Sequence, residues 1–355
     1  MTKLYANSLY REDLERIAAL ELPWEGLAGK NLLLSGITGL IGSFLTDVLM
    51  TKNREGLELR ITGITRDPGK AAERFSRWQG DPRLRLIQGD INSPIRQEAP
   101  EKTEYVLHLA SHTHPMQYSG DPIGTIATNI IGLQNMLEYA AEHGAERFAF
   151  ASSNEIYGEN RGDAELFDES YCGYIDCNTM RAGYPESKRC GEALCQAYRA
   201  QKGLDTVIPR LTRSYGPTML MSDTKAISQF IRRGIAGEDI VLKSAGTQYY
   251  SYTYVADAVG GLLTVLLKGK SGEAYNIADE RSDIRLKDLA ELIAENAGTQ
   301  VVYEIPDAAE AAGYSRATKA RLDGRKLQAL GWRAAYDMKT GIGRTMQVLK
   351  EIREE

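Results

Sequence analysis

One stretch constrains this chain more than any other: residues 31–50, NLLLSGITGLIGSFLTDVLM. A short apolar run ends in glycine, and helical spacing takes over two glycines later. An unbroken apolar run of this length reads as a parallel strand buried on both faces. Gly36, Gly39 and Gly42 follow as G-x-x-G-x-x-G. Such glycines give a tight turn, close approach of the backbone to a pyrophosphate, and close packing of helix on strand. The helix that opens there presents free N–H groups and the positive end of its dipole. Gly36, Thr38, Gly39, Leu40, Ile41 and Gly42 are therefore expected to hold a dinucleotide. In a chain with 34 glycines the spacing alone is weak. The strand before it and the helix after it carry the signal.

The alternation continues. Apolar runs at residues 58–65, 83–91, 104–111, 147–153 and 206–216 read as further strands. Residues 121–143 and 181–201 read as long helices, and residues 10–20 as a short helix ahead of the glycine strand. This order predicts an α/β fold: a Rossmann-type, doubly wound parallel sheet with a smaller, interleaved C-terminal substrate-binding region. Residues 1–209 are assigned to the dinucleotide-binding domain, with segments returning at about 245–280. Residues 210–244 and 281–355 are assigned to the substrate region, with helices at 224–236 and 286–297. YSYTYVADAVGGLLTVLL and EAYNIA are read as returning elements of the large sheet.

Composition narrows the function. Lys and Arg number 43 against 48 Asp and Glu, a net charge of -5, which disfavours wrapping a nucleic acid. No run of about 18 apolar residues predicts a membrane span, and the charged N-terminus has no signal core. The four cysteines, Cys172, Cys177, Cys190 and Cys195, form no C-x-x-C pair and the chain has only 4 His, so no metal site is expected. Reduced thiols in a soluble, cytoplasmic protein are the expectation.

Tyr184 and Lys188 stand one turn apart as Y-x-x-x-K, on one face of a helix. The ammonium is expected to lower the phenol pKa, so that a phenolate takes a hydroxyl proton while hydride leaves the same carbon. With 19 tyrosines, roughly one such pair is expected by chance, and Tyr198 with Lys202 forms a second. The first is preferred because it follows the fifth strand more closely. That strand ends in ASSNEIYG, at the crevice side of the sheet. Ser153 there is the expected partner of the reacting hydroxyl, with Ser152 as the alternative. Glu155 reads equally as a second acid/base or as a carboxylate satisfied by its loop. At the second strand's end Arg66 suits a 2′-phosphate and favours NADP slightly, whereas Asp67 suits a ribose hydroxyl and keeps NAD open. Asp90 and Ile91, ending the third strand, are expected beside the adenine.

Together SGITGLIG, GDI, HLAS, TNIIG, SSNEIYG, YPESK, RSYGP, YTYVAD, AYNIAD and LDGRKLQALGW resemble the extended short-chain dehydrogenase/reductase family. The branch is that of NAD(P)-dependent nucleotide-sugar epimerases, dehydratases and decarboxylases, and HLASHTHPMQYSGDPIGTIATNIIG is most similar to the UDP-glucuronate decarboxylases. The resemblance implies Tyr184 as base, Lys188 on the nicotinamide ribose and Ser153 as the orienting hydroxyl. It places His108, Leu109, Ala110 and Ser111 along the cofactor, Asn129 in support, and His112 and Asn154 toward the substrate. It makes Glu155 a catalytic glutamate and implies a homodimer paired through two long helices. Three positions depart from the pattern. Asn154 stands where dehydratases carry an aspartate, and an amide cannot donate the proton. Arg213 replaces an asparagine, and Tyr250 replaces an arginine that meets the diphosphate. Either Arg213 and Lys319 restore that charge from another wall, or they are surface charges.

The leading expectation is thus a redox-neutral isomerase or lyase that makes and unmakes a keto-sugar. A reductase of a nucleotide-linked keto-sugar using NADPH is the alternative. A non-catalytic dinucleotide-binding regulator is the third reading, against which the intact Ser153, Tyr184 and Lys188 argue.

Overall fold

Strand β1 (Asn31–Ser35) is buried on both sides beyond its first residue. Its neighbours are β2 (Arg60–Thr65) and β4 (Tyr105–His108), both parallel to it. The computed structural model describes residues 2–95, 99–100, 102–113, 116, 120–304 and 318–354. Adding β3 (Leu84–Gln88), β5 (Arg147–Phe150), β7 (Thr206–Leu211) and β11 (Ala274–Ile277) gives one sheet in the order β11-β7-β5-β4-β1-β2-β3. Every pairing is parallel, and the short β6 (Ser152–Ser153) extends the edge of β7. This is the doubly wound sheet expected from the alternation. Leu32 and Leu34 join one hydrophobic cluster, with Phe44, Val48 and Leu262, while Leu33 joins the other, with Leu137, Phe148 and Phe150. A strand whose successive side chains enter opposite cores must be apolar throughout, which is why NLLLS shows no alternation.

The strand order reverses between β1 and β4. A crevice opens there at the strands' C-terminal ends, the place where ligands bind in open α/β sheets.

Three elements differ from the sequence reading. The expected helix over 121–143 is interrupted: helices Pro122–Ala127 and Leu133–Glu142 flank a π-helical turn at Thr128–Gly132. Gly132 lies so close to Ile91 that an added Cβ would approach its side chain to 2.8 Å, and Asn129 on the same turn is pinned by two hydrogen bonds described below. A second difference concerns β10 (Tyr249–Tyr254), expected in the large sheet. It forms the centre of another sheet, pairing with β8 (Arg213–Tyr215), β12 (Asp283–Arg285) and β14 (Lys319–Ala320). Only the helix and strand that follow, Val255–Lys268 and β11, return to the large sheet. The chain crosses between the sheets at Thr212, whose Oγ1 lies 2.5 Å from Thr253 Oγ1. A smaller parallel pair, β9 (Ile240–Leu242) with β13 (Val301–Tyr303), flanks this region.

The third difference is one of bounds: the N-terminal helix expected over 10–20 runs Ser8–Ala18, because the Asn7 side chain caps it on the Tyr10 N–H. It is part of the core. Asp13 is fully buried and accepts from the hydroxyls of Tyr254 and Tyr336, both at 2.6 Å, and from Arg344 at 2.7 Å. Tyr10 donates to Asp47 at 2.6 Å, which also receives Arg74 and Trp78.

Candidate active site

Two glycines of the turn after β1 are held by contact. Gly36 has φ +74°, and a Cβ there would meet the Ala110 nitrogen at 2.6 Å. At Gly42 a Cβ would lie 2.2 Å from the Gly36 carbonyl oxygen. Gly39, in extended backbone, caps helix Leu40–Arg54 without any side chain on the first-turn N–H groups. The turn is thus a bare backbone cradle at a helix N-terminus, which fits a pyrophosphate. It opens into a cleft of about 640 Å³.

The cleft is lined by Gly36, Thr38, Gly39, Leu40, Ile41 and Gly42, then by Arg66, Asp90, Ile91, Leu109, Ala110, Ser111 and His112. Ser153, Asn154, Glu155, Tyr184, Lys188, Arg213 and Tyr250 complete the set that sequence reasoning had singled out. Three of its members fall elsewhere. His108 is fully buried on β4 and is not among the cleft-lining residues. Asn129 is fully buried behind the wall, accepting from Ser111 Oγ at 2.7 Å and donating to Ser187 Oγ at 2.9 Å. It therefore supports the wall and does not line it. Lys319 lies on β14 opposite Tyr249 and is not among the cleft-lining residues. The segment around HTHPMQYS falls partly outside the described residues.

Tyr184 stands in the first turn of helix Gly183–Lys202, and its hydroxyl is hydrogen-bonded to the Ser153 and Ser111 hydroxyls. Burial pushes its phenol up to about 12, with the Glu155 charge adding to the rise and the two serines and Arg181 opposing it. The expected depression by the Lys188 ammonium is absent. Burial drives the Lys188 amine down to about 7, and its Nζ donates to the Ala151 carbonyl at 2.9 Å, 5.9 Å from the Tyr184 ring centre. Burial thus outweighs the neighbouring groups at both Tyr184 and Lys188. Beside Lys188, His108 is kept neutral by burial and by the lysine charge, its pKa near 3, and its Nδ1 lies 2.9 Å from Ser35 Oγ.

The rival candidates are engaged elsewhere. Ser152 Oγ donates to Glu192 at 2.5 Å, and Glu192 pairs with Arg210 at 2.7 Å, so that serine faces a buried ionic network. Tyr198 donates to Glu138 at 2.5 Å, far along the helix from the cleft. At the cofactor rim Asp67 caps helix Pro68–Arg74 on the Lys70 N–H, turned to the helix, whereas exposed Arg66 lines the cleft. His112, 3.2 Å from Thr125 Oγ1, has its pKa lowered by burial and by the Arg66 charge.

At the other end of the cleft, cations gather. Arg213 stacks on the Tyr250 ring at 3.6 Å, and its Nη1 is buried without a hydrogen-bond partner. Lys225 pairs with Asp223 at 2.7 Å. Arg181 pairs with Glu155 at 2.5 Å. Burial would raise the Glu155 carboxyl, but Arg181, Arg213 and Lys225 outweigh it and hold the group below the ordinary glutamate range. Sequence reasoning missed Arg181; its one signal is an arginine one turn ahead of the tyrosine in MRAGYPESK. Among the described residues no group of His, Cys, Asp and Glu side chains is arranged to hold a metal ion.

Comparison with known proteins agrees with this arrangement. The model of the NAD dependent epimerase/dehydratase family matches residues 32–278. UDP-glucuronic acid decarboxylase 3 of Arabidopsis thaliana is 32% identical over 311 residues, covering 88% of this chain and 86% of that protein. UDP-glucuronic acid decarboxylase 1 of Xenopus tropicalis is 30% identical over 324 residues, 91% of this chain and 72% of its own length. Among solved structures, the dTDP-glucose 4,6-dehydratase of Streptomyces venezuelae with NAD bound shares the fold with a TM-score of 0.78 at 24% identity, covering 91% of this chain and 98% of that one. The UDP-glucuronic acid 4-epimerase of Bacillus cereus matches at the same TM-score of 0.78 and 20% identity, over 91% and 99%. The chain belongs to the NAD-dependent epimerase/dehydratase family, within the extended short-chain dehydrogenases/reductases.

Proposed function

We propose that this enzyme modifies the sugar of a nucleotide sugar through a transient keto-sugar, using a nicotinamide dinucleotide laid along the glycine turn. The observation that carries the reading is the meeting of Ser153, Tyr184 and Lys188 in the cleft that the bare glycine cradle opens. When bound, the oxidised nicotinamide accepts a hydride from the sugar carbon and adds a positive charge to the site. The chain's own residues do the rest. Ser153 and Ser111 orient the Tyr184 oxygen, which takes the proton of the sugar hydroxyl and later returns it. Lys188, at the base of the cleft, faces the ribose and, when charged, favours the phenolate. Burial excludes water that would compete for either proton.

Of the outcomes open to a keto-sugar, loss of water is the least supported. It needs a proton donor, whereas Asn154 is an amide and Glu155 is held ionised by Arg181 and Arg213. Loss of carbon dioxide from a sugar acid needs none there: the carbon–carbon bond to the carboxylate breaks, its electron pair moves toward the ketone, and the carbon left behind takes a proton from water. The similarity to UDP-glucuronic acid decarboxylases supports this outcome. A net reduction with NADPH has one observation in its favour, Arg66 facing the cleft while Asp67 caps a helix.

Other features complete the reading. Ile123, Ile126 and Ile131 are exposed and close in sequence, Ile126 packs on Gly183, and the exposed Met180 stands just ahead of that glycine, which supports a homodimer joined through this face. Three of the four free cysteines are exposed, which suits a reducing cytoplasm. No helix of the described residues is long and apolar enough to cross a membrane. The test is a panel of nucleotide sugars incubated with the protein and read by mass spectrometry. Loss of carbon dioxide is expected from a nucleotide hexuronate with no net change in cofactor. Gain of two hydrogens with NADPH consumed would establish the reductase, and unchanged sugars throughout would overturn the enzymatic reading.

A further inference from the structure

The cleft wall carries an ion pair to which the reaction above gives no task of its own. Arg181 Nη2 lies 2.5 Å from Glu155 Oε2, and the two side chains are only 16% and 19% exposed. Desolvating two charges in this way is rarely a net gain in stability. Its position is specific. Glu155 stands two residues after Ser153, whose Oγ accepts the Glu155 N–H at 3.2 Å. Arg181 stands three residues before Tyr184, on the turn Met180–Ala182 that leads into the helix. The pair thus ties the segment presenting the serine to the segment presenting the phenol. The charged and titratable groups that act on Glu155 come from four places: Arg181 on this turn, Arg213 on β8, Lys225 ahead of helix Ala226–Ile235, and Tyr184 itself.

We propose that Arg181 is a positioning residue that acts through Glu155, holding its carboxylate ionised and fixed beside Ser153 and Tyr184, so that Glu155 accepts protons and hydrogen bonds from the ligand and does not donate them. The assignment rests on the keto-sugar reading of the cleft. A guanidinium is suited to the task because its planar fork stays charged at every working pH and fixes the carboxylate in orientation as well as in charge. Without it, burial acts on Glu155 opposed only by Arg213 and Lys225, and the carboxyl titrates higher.

The direct test labels the glutamate carboxyl carbons with ¹³C in the full chain and follows Glu155, assigned by its disappearance in Glu155→Gln, as pH is varied. In the wild-type protein the midpoint is expected below the ordinary glutamate value of about 4.3. Arg181→Gln is expected to raise it by about one pH unit or more, and Arg181→Lys, which keeps charge and loses the fork, by roughly half as much. Should Arg181→Gln not fold, Arg181→Lys decides alone. A midpoint unmoved in a variant that still melts cooperatively overturns the proposal. With a substrate from the panel, the acid limb of the kcat–pH profile is expected to move upward with the titration, with KM little changed. A limb that stays in place while the titration moves also overturns it. If no nucleotide sugar is converted, the keto-sugar reading fails, while the titration still decides whether Arg181 governs Glu155.

Discussion

The two ends of the cleft are built from different materials. At the cofactor end the ligand-facing surface is mostly backbone: glycines that leave no room for a Cβ, and the open first turn of a helix. At the substrate end it is side chains brought from distant segments: Arg213 on Tyr250, Arg181 on Glu155, Lys225 on Asp223. A backbone surface tolerates almost no change, because any added atom displaces a strand or a helix. A side-chain surface can move its charge from one strand to the next. Arg213 and Tyr250 stand on paired strands, and the guanidinium of one lies over the ring of the other. Such a surface is where specificity within a family is expected to change.

The contrast can be broken by experiment, and the harshest test is at the backbone end. Gly42→Ala puts a methyl group 2.2 Å from the Gly36 oxygen. We expect complete loss of retained cofactor, measured by extraction and chromatography, together with a loss of about 2 kcal/mol in unfolding free energy from overpacking. A protein that keeps its cofactor would show the cradle to be softer than its contacts imply. Next in size, Tyr184→Phe removes only an oxygen and is expected to lower kcat by about 10³-fold while cofactor content and melting temperature stay unchanged. Turnover at the wild-type rate would remove the phenol from the reaction. Arg213→Ala is expected to raise KM for the nucleotide sugar by about 30-fold, the loss of charged hydrogen bonds worth about 2 kcal/mol, with no change in cofactor content. Lys319→Ala, outside the cleft, serves as the control and is expected to change neither. The smallest effects lie at the cofactor rim. Arg66→Ser is expected to shift preference about tenfold from NADP toward NAD, read as the ratio of dissociation constants. Asp67→Ala is expected to lower the melting temperature slightly through loss of the helix cap and to leave that ratio unchanged.

The same contrast explains what the sequence made legible. A glycine that must be glycine, and a strand that must be apolar on both faces, leave marks at fixed short spacing. The turn at Gly36–Gly42 and the parallel strands around it are within reach of such marks, whereas Tyr184 and Tyr198 share one spacing and are separated only by their distance from the fifth strand. Interactions between distant segments leave none. Nothing within ASSNEIYG announces that Ser152 will be taken by Glu192, leaving Ser153 as the serine of the pair that meets Tyr184. Nothing local tells that β10, rich in tyrosine and buried nearly throughout, belongs to the second sheet. Asn129, expected in support of the site, stands one layer behind the wall, where the π-helical turn sets it and where it holds Ser111. The pKa of Tyr184 was misjudged for a related reason: helical spacing brings Lys188 to the same face, but spacing is silent about burial, which dominates both groups.

The helix Ser8–Ala18 lies ahead of residues 32–278, which the family model matches, yet it is bound into two parts of the fold. Tyr10 reaches Asp47 on the helix that the glycine turn opens, and one helical turn on, Asp13 gathers Tyr254 from the second sheet and Tyr336 and Arg344 from further along the chain. Loss of the Asp13 carboxylate would leave two buried hydroxyls and a guanidinium without their shared acceptor, so one substitution on this helix would loosen the second sheet and helix Met338–Glu354 together.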